Sequence, residues 1–304
     1  MAITSSQAGI NLTISKLQLI ELNWNGDEAV LENADEEFLS GYIDRNTSEP
    51  ELISTIQEAF NRIAIRKPLS SKTVSFTLPT QLFEIVELPI DDLLTKEDLA
   101  NHLNWEFSVL FPQKDPSDFL LRYFETGGGE IMNTKTILVA AIEKKILGAI
   151  HKFCMLNKLA LRLVDNVHFA ANLLIRPESP LQNYISVYSD DNYYSLMIFE
   201  KGKPKLFKSF DEQDLNKAAQ KIRMEYLNFY STRVDLSAMK NIYIAGESFT
   251  DNTVLAFENV LKIPVLKLNP FEKLKSAPGM QKTDLIRDKY YSFAAPAGIA
   301  ARIS

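Results

Sequence analysis

The chain has 304 residues, 46% of them apolar and 24% charged, which is the balance of a folded globular protein long enough for two cores. A net charge of −6 without any Lys/Arg run argues against a nucleic-acid binder, and the single cysteine, Cys154, excludes an intrachain disulfide. Residues 1–7 lack a basic segment followed by an apolar one, and no run approaches the ~20 apolar residues of a membrane span, so neither a secretory signal nor direct membrane insertion is expected.

In chain order, Ile10, Leu12 and Ile14 alternate with polar neighbours and predict a first strand, and residues 17–22 predict a second. Asn25-Gly26 is a hairpin turn signal, and residues 29–31 read as a third strand. Ser48 and Pro50 suit the start of a helix on which Ile53, Ile56, Phe60 and Ile63 form one stripe; a strand over 73–78 follows. Thr95 is placed to cap a helix reaching residue 107, and residues 119–124 and 136–141 read as strands. Ile150, Phe153 and Cys154 share the apolar side of a helix, where the thiol is buried and inert. His168, with Val167, Phe169 and Leu173, reads as a partly buried helical histidine. Strands then recur over 184–188, 195–199 and 205–207, the last two joined by a turn at Lys201-Gly202. A long helix starting near Asp211 carries Ile222, Tyr226, Phe229 and Tyr230 on one side, and a strand follows over 241–245. A helix over 254–261 and a strand over 265–268 close the unit.

Three antiparallel strands, a helix and a strand therefore occur twice, which predicts two related α/β lobes with mixed sheets and a small inserted subdomain between them. The expected division is 1–88, completed by about 143–180, for the first lobe, 89–142 for the insertion and 181–304 for the second lobe. Familiar catalytic patterns are missing. His102, His151 and His168 are scattered without metal-ligand spacing, and no nucleophile–histidine arrangement is legible. Gly127-Gly128-Gly129 reads as a hairpin loop, and Asp190-Asp191 as a turn. Trp105, Phe107 and Phe111 are either core of the insertion or a contact surface.

Seven fragments in order resemble the PilM family of type IV pilus-assembly proteins, which have the actin-like (ribonuclease-H-like) fold and are related to the cell-division protein FtsA. Gly9 to Leu22 resembles the family's opening hairpin, G-I-D-I-G-S-S-S-V-K-V-V-E-L. The others are Val74 to Pro79 with Pro89, Trp105-Glu106 with Phe111-Pro112, Ile222-Arg223 with Phe229-Tyr230, Ile242 to Gly246, Asn269-Pro270-Phe271, and Phe293 to Ala300.

The resemblance implies an ATP site between the lobes, and this chain departs from it at each position. Asn11 stands where the family has the Asp that holds Mg²⁺, and Thr13 where it has the glycine beside phosphate. On the second hairpin Tyr188 and Asp190 replace an Asp and a Gly, and at the adenosine turn Gly246 is kept while Glu247 replaces its partner glycine. No glycine lies between Gly9 and Gly26 or between Gly148 and Gly202, so backbone N–H groups lose their close approach to phosphate. Asp190 and Asp191 would add like charge, at ~1–4 kcal/mol for each pair near 4 Å. Ser15 and Lys16 are the remaining possible phosphate donors. The expectation is a non-catalytic, actin-like scaffold without a cofactor, catalytic residue or metal site. It works in a pilus or secretion-like envelope assembly at the cytoplasmic face of the inner membrane. Its expected partner is the short tail of a bitopic PilN-like protein, with self-association also open. The alternative is an ATP–Mg²⁺-binding ATPase or switch with divergent loops.

Overall fold

Strand β1 (Thr4–Leu12) is the spine of the first sheet. It pairs antiparallel with β2 (Lys16–Asn25) and parallel with β4 (Thr73–Leu78). Strand β3 (Glu28–Phe38) continues from β2 through the Gly26 turn, whose φ of +63° suits glycine. The computed structural model describes residues 4–26, 28–91, 94–126, 135–177, 179, 182–227, 236–272, 274–277 and 284–302. Strands β8 (Ala160–Asn166) and β14 (Lys275–Ser276) complete the order β14-β3-β2-β1-β4-β8.

The second sheet repeats this arrangement as β11-β10-β9-β12-β13. Here β9 (Tyr184–Asp190) is the spine. It is antiparallel to β10 (Tyr193–Glu200), which leads to β11 (Lys203–Asp211), and parallel to β12 (Asn241–Gly246). Strand β13 (Val265–Lys267) forms its far edge. The inserted segment forms a third, antiparallel sheet of β5 (Phe83–Ile90), β7 (Lys135–Glu143) and β6 (Phe119–Glu125), in the order β5-β7-β6. The expected division at residue 88 thus falls inside β5, and the late strand β14 pairs with β3 of the first sheet.

Helices cover the sheets where their apolar stripes demand it. Helix α1 (Glu49–Arg66) buries Leu52, Ile56, Ala59, Phe60 and Ile63. It packs beside α3 (Lys144–Leu156), whose Phe153 ring meets Phe60 and Phe76 edge-on at 5.3 and 5.9 Å. Cys154 lies in this core, where burial pushes its thiol pKa up to about 12 and keeps it inert. Helix α2 (Lys96–Leu110) covers the third sheet and starts in a capping box formed by Thr95 and Asp98. Helices α5 (Leu215–Lys221) and α6 (Asp251–Leu261) pack together on the second sheet.

Several local expectations change. Ser48 precedes α1 in extended conformation, but its hydroxyl caps nothing. Asp211 belongs to β11; the helix is capped by Asp214, which accepts from the Asn216 and Lys217 N–H groups, and it passes into a π-helix over Ile222–Leu227. Phe229, Tyr230 and Gly127 to Gly129 lie outside the described residues. Strand β3 extends well past residue 31, because its far half is a polar run that pairs with β2 and carries Glu36 and Glu37.

Two short helices occupy the junction of the large sheets: α4 (Val167–Asn172) and the C-terminal α8 (Ala294–Ala301); α7 (Asp284–Asp288) lies before the latter. Helix α8 is buried along nearly its whole length and packs on α4, β1, β2 and β4. Small residues permit that approach: a Cβ on Gly9 would come within 2.0 Å of the Pro296 carbonyl oxygen, and one on Gly298 within 2.0 Å of the Ala170 carbonyl oxygen. No helix among the described residues is long and apolar enough to cross a membrane.

Candidate functional site in the cleft between the sheets

The β1–β2 turn and the β9–β10 turn face each other across the junction, which brings the eight cleft positions singled out in the sequence into one region. Each turn is filled from within. Thr13 is 2% exposed, and its hydroxyl oxygen accepts from the N–H groups of Ser15, at 3.2 Å, and Lys16, at 2.8 Å. The backbone donors that a phosphate would need are therefore turned onto a threonine side chain. Asn11 is fully buried; its amide donates to Gln18 Oε1 at 2.8 Å, and its oxygen accepts from the Thr77 hydroxyl at 2.8 Å. The Tyr188 side chain on β9 lies near enough for Asn11 to temper the rise in its phenol pKa. The two positions where the resemblance implies acids thus both carry neutral side chains, Asn11 and Tyr188. Burial raises the Tyr188 pKa well above the usual phenol range, so the phenol stays protonated.

Lys16 spans the junction to Glu247, with Nζ 3.1 Å from Oε1, and lies 3.9 Å from Glu36. Its ammonium also sits 5.1 Å from the Phe38 ring centre. Gln18 Nε2 donates to both carboxylates, at 3.2 Å each. A carboxylate of the protein itself is therefore the anion that meets Lys16. Burial raises the Glu247 pKa, and Lys16 opposes that rise.

Gly246 keeps its glycine for a reason of packing. Its φ is +107°, and a Cβ there would lie 1.9 Å from the carbonyl oxygen of Ser189, its partner in the parallel pairing of β12 with β9. That oxygen accepts the Glu247 N–H at 3.0 Å, which fixes the turn that delivers Glu247 to Lys16.

Asp190 is 3% exposed, and its Oδ2 has no hydrogen-bond partner among the described residues. Burial, then the nearby Glu247 and Asp191, raise its pKa well above the usual carboxylate range, with Lys16 acting the other way. A carboxyl whose folded pKa is raised stabilises the fold most below its unfolded pKa and loses that contribution as pH rises through the folded value. Asp190→Asn is accordingly expected to melt higher than the parent at neutral pH, with the gap widening from pH 4 to pH 8 in a series of thermal scans.

His168 was expected to be partly buried; it is fully enclosed. Its Nδ1 lies 2.7 Å from the Ser195 hydroxyl and its Nε2 2.9 Å from the Ser186 hydroxyl, which ties α4 to β9 and β10. Burial lowers its pKa from 6.5 to about 3, so the ring is neutral in the fold. Its stabilisation is complete above pH ~6.5 and is lost as pH falls towards ~3, because the unfolded chain takes up the proton first. The stability gap between parent and His168→Gln, measured by urea unfolding, is expected to narrow from pH 7 to pH 4.

The three aromatic candidates on the insertion divide. Phe107 is 2% exposed and stacks against Phe111 and Phe119 at 4.9 Å each, so it is core rather than contact surface. Phe111 is half-buried in the same cluster, whereas Trp105 is 60% exposed beside His102. Sequence reasoning missed a groove of about 620 Å³ between the edge strands β6 and β8, lined by Leu120, Tyr123, Phe124, Leu161, Leu163 and Phe169 among others. Its only sequence signal is the run of apolar residues along β6, four of which remain exposed or half-exposed.

Two sheets with a shared strand order, a cleft between their equivalent turns and an inserted third sheet define the actin-like class of fold. The chain is similar to a chain of the PilM–PilN type IV pilus biogenesis complex, with 15% identity, 97% of each chain covered and a TM-score of 0.74. It also matches the cytoplasmic domain of EpsL, an inner-membrane component of the type II secretion system of Vibrio cholerae, at 12% identity, 90% of each chain and a TM-score of 0.49. A protein of unknown function with an actin-like ATPase fold from Bacteroides thetaiotaomicron matches at 14% identity, 86% of this chain, 90% of the other and a TM-score of 0.48. No family model and no curated protein matches the sequence. At these identities the likeness is one of fold.

Proposed function

We propose that this chain is a non-catalytic, actin-like scaffold whose nucleotide cleft is closed by its own side chains. The observation that carries this reading is the pair of internal substitutes: Thr13 takes the turn N–H groups, and Glu247 takes Lys16. Asn11, Gln18 and Thr77 are joined by neutral hydrogen bonds beside the buried Tyr188. An entering triphosphate would have to break these contacts and would meet Asp190 and Asp191. With millimolar MgATP the melting temperature is expected to stay at its nucleotide-free value. A micromolar site would add about 4 kcal/mol at thousandfold excess and shift it visibly, which would revive the ATPase or switch reading.

As a scaffold, the chain needs a docking surface, and the groove between β6 and β8 fits the short extended tail of a bitopic inner-membrane protein. Both flanking strands are sheet edges with main-chain groups to offer, and the apolar floor can take alternate side chains of an added strand. The likeness of fold to a chain from the PilM–PilN complex supports a PilN-like partner; with a bitopic partner of that kind the chain would sit at the cytoplasmic face of the inner membrane. Leu120 and Tyr123 are 37% and 42% exposed, so Leu120→Asp with Tyr123→Asp is expected to spare the fold. The double variant should weaken binding of such a tail peptide by about tenfold or more in fluorescence anisotropy. Trp105→Ala, outside the groove lining, should bind like the parent.

A further inference from the structure

Strand β6 has a groove on each of its faces. Leu120, Arg122 and Phe124 sit opposite Ile142, Ala140 and Leu138 of β7 and turn towards the β8 groove, where the Phe124 ring meets Phe169 at 5.2 Å. Phe119, Leu121 and Tyr123 take the other face, under α2, where a second groove of about 620 Å³ is lined by Ala100, Leu103 and Asn104. Between the two grooves, the outer edge of β6 pairs with no strand among the described residues. The Thr126 N–H donates to the Thr136 carbonyl on β7, and bonded and unbonded pairs alternate along an antiparallel ladder. Leu121, Tyr123 and Glu125 therefore direct their N–H and C=O groups to the free edge. The edge of β8 is a poorer template. Its register with β4 slips between Leu161 and Leu163, which leaves Arg162 as a bulge.

Charge decides what kind of strand fits this edge. The chain as a whole carries −6, yet the β8 groove is lined by Arg122, Arg162 and Arg302. Among the described residues one acid lines it, Asp165, which Arg302 already meets at 2.7 Å. Glu125, at the end of β6, is paired with Lys135 at 3.2 Å. The α2 groove is walled mainly by apolar side chains. We propose that an extended partner segment of alternating apolar and acidic residues adds to the free edge of β6. Main-chain hydrogen bonds to Leu121, Tyr123 and Glu125 set its register. Its side chains then part to the two faces of the sheet, the apolar ones into the α2 groove and the carboxylates towards Arg122 and its neighbours. The inference rests on the reading of the groove between β6 and β8 as the docking site, and adds which strand is extended and what charge the guest carries.

The test uses the full chain and three fluorescein-labelled decapeptides, repeats of Val-Glu, Val-Gln and Val-Lys, in fluorescence anisotropy. The expected result is saturable, salt-sensitive binding of the Val-Glu repeat, with Val-Gln about tenfold weaker or more and no binding of Val-Lys. Arg122 is exposed, so Arg122→Glu should melt like the parent while weakening the Val-Glu repeat by about tenfold. Methylating every second backbone nitrogen of that peptide tests the added strand itself: one phase should abolish binding and the other should spare it. No binding of the Val-Glu repeat, equal binding of all three peptides, or the same response to both methylation phases overturns the proposal. Leu120→Asp with Tyr123→Asp separates it from the reading on which it rests. Peptides that bind without regard to charge, yet are lost in that double variant, keep the groove and sink the acidic strand; binding that the double variant leaves untouched sinks both.

Discussion

Gly246→Ala is expected to destabilise the protein by about 3 kcal/mol or more, through a left-handed φ and a backbone collision together. The added Cβ would meet the Ser189 carbonyl oxygen at 1.9 Å, and that carbonyl cannot move aside without releasing the Glu247 N–H it accepts. Relaxation must therefore unpair the end of β12 from β9, and Glu247 leaves Lys16 as the turn shifts. Gly148→Ala is the control. Gly148 sits inside α3 with open space around it, so alanine there is expected to stabilise by up to about 1 kcal/mol. Urea unfolding of the two variants checks both signs. A Gly246→Ala protein as stable as the parent would show that β12 does not need this close approach to β9.

Lys16→Met should have the next largest effect. It leaves Glu247 and Glu36, whose side chains are 18% and 14% exposed, facing each other with Gln18 as their shared donor and Lys289 3.5 Å from Glu36. Stranding a largely buried carboxylate costs about 2–4 kcal/mol, whereas losing a solvated surface lysine costs under about 0.5 kcal/mol. The second substitution Glu247→Gln removes the stranded charge and is expected to restore most of the loss. A thermodynamic cycle of parent, both single variants and the double variant isolates the coupling. A coupling near zero would mean that Lys16 and Glu247 do not hold the two sheets together.

These residues also mark the limit of what the chain reveals before it folds. The sheets were legible because strand alternation and turn signals are local: Ile10, Leu12 and the Asn25-Gly26 turn announce β1 to β3, and the same order returns from Tyr184 onward. Asn11, Thr13, Tyr188, Asp190 and Glu247 stand where the resemblance implies a phosphate site, and their residue types are read directly from the chain. The helix entering at Asp214 was misplaced to Asp211 because an acid before a helical stripe looks the same at either position, and only the length of β11 decides between them. Phe107 and Trp105 carry similar sequence signals, yet their order on α2 turns one into the core and the other to solvent.

What the sequence by itself determined is the duplicated α/β order and the absence of glycine from both hairpin segments, between Gly9 and Gly26 and between Gly148 and Gly202. Those are properties of residue type and local period. What only the tertiary structure decided is where the released groups went. Lys16 and Glu247 lie on different sheets, as do Asn11 and Tyr188, and their meeting depends on how the two sheets close around α4 and α8. Contacts between residues far apart in the chain leave no periodic trace in it, because nothing local constrains one partner to the other. The residue types at the cleft could thus be read in advance, and only in three dimensions the contacts that Lys16 makes with Glu247 and that Thr13 makes with its own turn.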